Sequence, residues 1–106
     1  MHTLQSMRAV LVVLALTPKT PQPRANRFVQ KLYGQASTTR GGSYRYRKAG
    51  LLDGIAHRKL RPGVLIVRER DLAELAEFLR RWGAVFEVRP ITPSREDLAE
   101  LSSPHH

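Results

Sequence analysis

Two short, almost wholly apolar runs constrain this chain more than anything else in it: "AVLVVLAL", Ala9 to Leu16, and "GVLIVRE", Gly63 to Glu69. Strict alternation of apolar and polar residues marks a strand with one wet face, whereas an unbroken run rich in Val, Ile and Leu marks a strand covered on both. A membrane span takes about 20 apolar residues, so neither run is long enough to cross a bilayer. With Arg8 before it, the first run also has the look of a secretion signal. The following "TPKTPQPRA", however, supplies no A-x-A cleavage site and carries charge where small neutral residues belong. Both runs therefore read as strands at the centre of one sheet, and Met7, just ahead of the first, fits a natural start. The expected location is the cytoplasm, with no membrane partner.

The segments between and after these runs supply the remaining elements. In "TPKTPQPRANRFVQKLYG" three prolines hold an extended entry to a helix placed at roughly Arg24 to Tyr33. There Phe28 and Leu32, and Val29 and Tyr33, are four apart on one side, and Gly34 stands where a helix ends. "GQASTTRGGS" is polar and Gly-rich, and "YRYRKAGLL" alternates with period two as the second strand. Tyr44, Tyr46 and Lys48 would share one face of it, with Arg45 and Arg47 on the other. "DGIAHRKLRPG" reads as a long connection with turns at Asp53-Gly54 and Pro62-Gly63. "RDLAELAEFLRRWG" is the clearest helix, its apolar face made by Leu72, Leu75, Ala76, Leu79 and Trp82, with acids early and Arg80 and Arg81 late. "AVFEVRP" is the fourth strand, and "TPSREDLAEL" a short terminal helix with Pro93 in its first turn.

The order strand-helix-strand-strand-helix-strand, closed by a short C-terminal helix, predicts an α+β fold of the ferredoxin-like, split βαβ type. Its four antiparallel strands would carry helices on one face, with the two apolar runs central and the second and fourth strands at the edges. Its 106 residues suit a single small domain. Residues 1–7 and 102–106 are expected to fray, and 38–62 to form a basic, partly flexible segment. No repeat and no family-specific motif is present.

Charge narrows the function classes. Residues 1–68 hold 13 Lys and Arg against the single acid Asp53, a balance of +12, whereas residues 69–106 hold five against eight, a balance of −3. A field of one sign over two thirds of a chain favours polyanions. Of the 18 basic residues 14 are arginine, the side chain that pairs with phosphate through a planar fork and stacks on bases. Without cysteine, neither disulfides nor thiolate chemistry nor cysteine zinc sites arise. Of the four histidines, His2, His105 and His106 lie at the ends, and the last two also fit a purification-tag remnant.

Seven basic residues lie between Arg40 and Arg61, with two tyrosines among them: Arg40, Arg45, Arg47, Lys48, Arg58, Lys59 and Arg61, beside Tyr44 and Tyr46. Charged edge strands guard against aggregation, but that accounts for only one or two such charges. Cations neutralise phosphates, tyrosines stack on unpaired bases, and Gly41-Gly42 lets backbone amides approach a phosphate. With His57 and the helix residues Arg24, Arg27 and Lys31, these form the expected RNA-binding set. The pattern lacks a helix-turn-helix, a zinc finger and the strand aromatics of sheet-face RNA readers. RNA is favoured over DNA, with binding through edge strand and loops.

The adopted reading is a non-catalytic protein that contacts the phosphates of structured RNA, as part of or accessory to a ribonucleoprotein such as the ribosome. It is expected to need no cofactor and no metal. A metal-independent nuclease built on Asp53 and His57 is one alternative. A DNA-binding or protein-interaction adaptor is another, its acidic C-terminal part docking a partner or a second copy. In that case Phe78 and Trp82 are the interface candidates, although at this spacing both also fit the core.

Overall fold

The computed structural model describes residues 8–38 and 45–102. In chain order the elements are β1 (Ala9–Ala15), α1 (Gln22–Tyr33), β2 (Gln35–Thr38), β3 (Arg45–Lys48), β4 (His57–Arg61), β5 (Val64–Arg68), α2 (Leu72–Arg81), β6 (Val85–Ile91) and α3 (Arg95–Ser102). The main sheet has the strand order β4-β5-β1-β6, with every neighbouring pair antiparallel. The two apolar runs are the central strands, as their composition requires. The split βαβ topology is thus present: β1-α1-β4 and β5-α2-β6 interleave in one sheet.

Alternation along β1 decides what each face carries. Val10, Val12 and Leu14 join Leu65 and Val67 of β5 against Phe28 and Leu32 of α1 and Leu75 and Leu79 of α2, forming the principal core. Ala9 and Leu11 of β1 point the other way with Ile66 of β5. There Leu101 of α3 covers Ala9 and Ile66, with Leu11 and Ile91 packed alongside. So α1 and α2 share one face, and the terminal helix lies against the opposite one.

One expected strand changes place. The main-sheet edge on the β5 side is β4, "HRKLR", which the sequence reading put on a connection; "RYRK" is β3, which pairs with β2 in a separate two-stranded ribbon. The reason lies in the apolar residues between them. A single 3₁₀ turn, Leu51–Gly54, buries Leu52, and Ile55 follows it into the core, both about 1% exposed. Leu51-Leu52 thus belongs to an anchor rather than to the end of a strand. The run after the anchor reaches the sheet and the run before it does not. β4 then turns into β5 through Pro62-Gly63, where Gly63 takes the left-handed φ of 83°.

The ribbon is fastened at its base by a close backbone approach. A methyl group on Gly50 would stand 2.3 Å from the Gly34 nitrogen and 2.6 Å from the Leu32 carbonyl oxygen. Asp53 Oδ2 accepts a hydrogen bond of 2.7 Å from the Gly50 N–H and holds this crossing. Gly50→Ala should therefore lower stability by about 1 to 3 kcal/mol through overpacking against backbone that has little room to yield. Gly54→Ala, whose methyl meets nothing within 4 Å, should change it by less than about 0.5 kcal/mol. Urea unfolding of the two variants side by side checks the difference.

Candidate functional site

Helix α1 opens after Pro21 with Pro23 in its first positions, where a missing N–H costs little. Phe28 and Leu32 are its buried residues. Arg24 and Lys31, seven residues and close to two turns apart, run in line beside that core side, and Arg27 stands further out. All three cations are exposed. The C-terminal turn of α2 lies opposite them, contributing Phe78, Arg81 and the residue that closes the helix, Trp82.

These side chains form one groove. The Arg24 guanidinium carbon lies 4.7 Å from the centroid of the Trp82 ring. Beneath it Phe28, Phe78 and Trp82 make a cluster with centroid separations of 5.8, 5.9 and 6.1 Å. The open groove between α1 and α2, about 380 Å³ in volume, is lined by Arg24, Lys31, Phe78, Arg81 and Trp82. Three cations and two aromatic rings face it, and no carboxylate is among its lining residues. Arg81 has only a 3.7 Å contact with Glu77, both side chains being about 70% exposed, so solvent screens most of that attraction.

β4 divides its basic residues between two faces. His57 and Lys59 stand opposite Val67 and Leu65, on the α1 side; Arg58 and Arg61 stand opposite Ile66 and Val64, on the α3 side. The Lys59 ammonium lies 4.4 Å from the centroid of Tyr33, whose hydroxyl accepts a 2.8 Å hydrogen bond from the Gly63 N–H. His57 Nδ1 donates to the Ile55 carbonyl at 2.8 Å. Arg58 donates to Asp97 Oδ1 on α3, also at 2.8 Å.

The expected binding residues thus fall into three places. Arg24 and Lys31 meet in the helix groove, with Arg27 beside them. Lys59 sits by the end of α1, and Lys48 pairs in register with Gln35 at the base of the ribbon. Arg58 faces α3 with a carboxylate in hand. The backbone of Arg45, Tyr46 and Arg47 runs along β3, in a sheet separate from that of β4, and the expectations for Arg40 and Tyr44 fall outside the described residues. Sequence reading did not put Arg81 in the site, and weighed Phe78 and Trp82 only as core or interface residues. The adjacent "RRW" at the close of α2 was the available signal.

Ion pairing separates the cations further. Arg8, Arg58, Arg68, Arg81 and Arg89 each approach a carboxylate within 4 Å. Among the described residues Lys19, Arg24, Arg27, Lys31, Lys48, Lys59, Arg61, Arg70, Arg80 and Arg95 form no ion pair. Asp53 and His57, the nuclease candidates, both hold backbone partners, Asp53 within the Leu51–Gly54 turn and His57 at the start of β4. Among the described residues no helix is long and apolar enough to cross a membrane. No family model, curated protein or solved structure matches this chain.

Arg58 is fixed by a cap. Ser94 and Asp97 bond reciprocally at the start of α3: the Ser94 N–H donates to Asp97 Oδ2 at 2.8 Å and the Asp97 N–H donates to Ser94 Oγ at 3.0 Å. The Ser94 backbone N–H is the main cause holding the buried Asp97 carboxyl below its usual range. Burial pushes the other way, and the Ser94 hydroxyl and Arg58 add to the lowering. A lowered folded-state pKa contributes stability that is full above the ordinary carboxylate value and lost as pH falls through the lowered one. Asp97→Ala should cost about 1 to 3 kcal/mol, because it removes the cap and strands a half-buried guanidinium. Asp97→Asn, which keeps the capping oxygen, should cost less and should flatten the acid limb of thermal stability against pH. Melting curves taken from neutral to acid pH measure both effects.

Proposed function

We propose that this chain is a non-catalytic RNA-binding protein that contacts the phosphates of structured RNA, acting in the cytoplasm as part of or accessory to a ribonucleoprotein such as the ribosome. One observation carries the reading: Arg24, Arg27 and Lys31 of α1, Lys48 at the ribbon base and Lys59 and Arg61 of β4 hold no carboxylate, whereas Arg58 and Arg68 are held by Asp97 and Asp71. Unpaired, solvent-facing guanidinium and ammonium groups are ready to exchange counterions for phosphates.

The ribbon also favours a second reading, duplex DNA, since a two-stranded β-ribbon is one of the elements that the major groove admits. Binding of structured RNA, single-stranded RNA and duplex DNA measured over a range of salt separates the two. The expected result is preference for RNA, with affinity falling by a log–log slope of about 0.7 to 0.9 per phosphate neutralised. Arg45→Ala combined with Arg47→Ala should lower that slope by about one for each phosphate no longer held. A flat salt dependence, or an RNA affinity no higher than that for duplex DNA, would count against the RNA reading.

The backbone bonds of Asp53 and His57 support a structural role for both. Labelled RNA and DNA incubated with the protein, with and without magnesium, should stay intact. Cleavage that disappears in His57→Ala would reverse the non-catalytic reading.

A further inference from the structure

The groove between α1 and α2 has a composition that general phosphate attraction does not need. A surface that only neutralises phosphates requires cations and water between them. Here two half-buried aromatic rings, Phe78 and Trp82, form the floor under Arg24, Lys31 and Arg81. Trp82 is the only tryptophan of the chain; it closes α2, packed in part against the principal core and in part open to the groove. Arg24 lies over its ring and holds no carboxylate, so the guanidinium is already positioned and its N–H fork is unspent.

We propose that this groove is a site for one unpaired nucleotide of RNA. Its phosphate is held among Arg24, Lys31 and Arg81, and its base rests on the Phe78–Trp82 floor or on the guanidinium plane of Arg24. Aromatic rings and arginine planes are the two surfaces on which proteins stack splayed-out bases. The dimensions agree, because an open groove of about 380 Å³ has room for a base with its phosphate. The proposal rests on the RNA reading above and goes beyond it: it names single-stranded nucleotides as what this face recognises, and it moves the stacking role from the ribbon tyrosines to the helix face.

The lone tryptophan makes the site observable in the unmodified protein. Titration with a short oligouridylate should change Trp82 emission and saturate at the concentration where binding saturates by fluorescence anisotropy of labelled RNA. Lys31→Ala with Arg81→Ala, which leaves the Arg24–Trp82 stacking in place, should weaken binding of the oligouridylate by about tenfold or more. It should also lower the salt slope by about 0.7 for each cation removed. Melting temperature, measured beside binding, should stay near that of the unaltered protein because both side chains are exposed. If the oligouridylate binds with unchanged Trp82 emission, and the double variant binds as the parent does, the groove is not the site while the RNA reading stands. Binding of duplex RNA alone overturns the groove proposal in the same way. If no RNA of either kind binds, both readings fail together.

Discussion

The seven residues of β1, "AVLVVLA", have no polar side chain to offer water, so both edges and both faces of this strand must be covered. β5 and β6 take the edges along nearly its whole length. α1 and α2 close one face so well that Val12 has no exposure. β1 and β4 run parallel with β5 between them, and β5 and β6 run parallel with β1 between them; parallel strands need crossovers, and the two helices are those crossovers. Cover on the second face is shorter. α3 reaches Ala9 and Ile66, but Val13, further along β1, is 42% exposed. The Ser94–Asp97–Arg58 assembly matters for this reason, since among the described residues it holds the one helix that shields part of that face.

What the sequence made legible follows from how strongly each element is tied to the core. β1, β5 and α2 carry dense apolar patterns and were readable in kind and in place, and the split βαβ order followed from them. The second main-sheet strand was not, because β4 and β3 look alike on paper: both are short, basic and without a continuous apolar face. Three of the five residues of β4 are exposed, so hydrophobic periodicity has nothing to report there. The discriminating signal was the pair of turns at Asp53-Gly54 and Pro62-Gly63, which bracket a strand-length segment. Leu52 and Ile55 just before it are buried in the core and set where the segment after them can run.

The candidate groove was half legible. An outward line of Arg24, Arg27 and Lys31 follows from helical spacing alone. That its partners are Arg81 and Trp82 follows only from the packing of α1 against α2 around Phe28, a contact between residues some fifty positions apart. Local pattern does not carry such information. Sequence reading went instead to the tyrosines nearest the arginines in the chain, although the ring nearest to Arg24 in space is Trp82.

The two core helices both end in basic residues but begin differently, which bears directly on what α1 is for. α2 places Glu74 in its first turn and Arg80 and Arg81 in its last, the arrangement that the helix dipole rewards. α1 has no acid in its first turn, and Arg24 stands there instead, at the positive end of the dipole. It has no side-chain cap either, and Arg27 adds a like charge one turn on. Each such misplacement costs a helix about 0.3 to 1 kcal/mol, and no carboxylate among the described residues compensates it. Burial of Phe28 and Leu32 keeps α1 folded in spite of this. A helix that relies on packing to tolerate adverse charge is weakest in its isolated state, and a phosphate at its N-terminal side would relieve both the dipole and the clustered cations. The same residues that cost α1 stability in the free protein would then stabilise it in the complex.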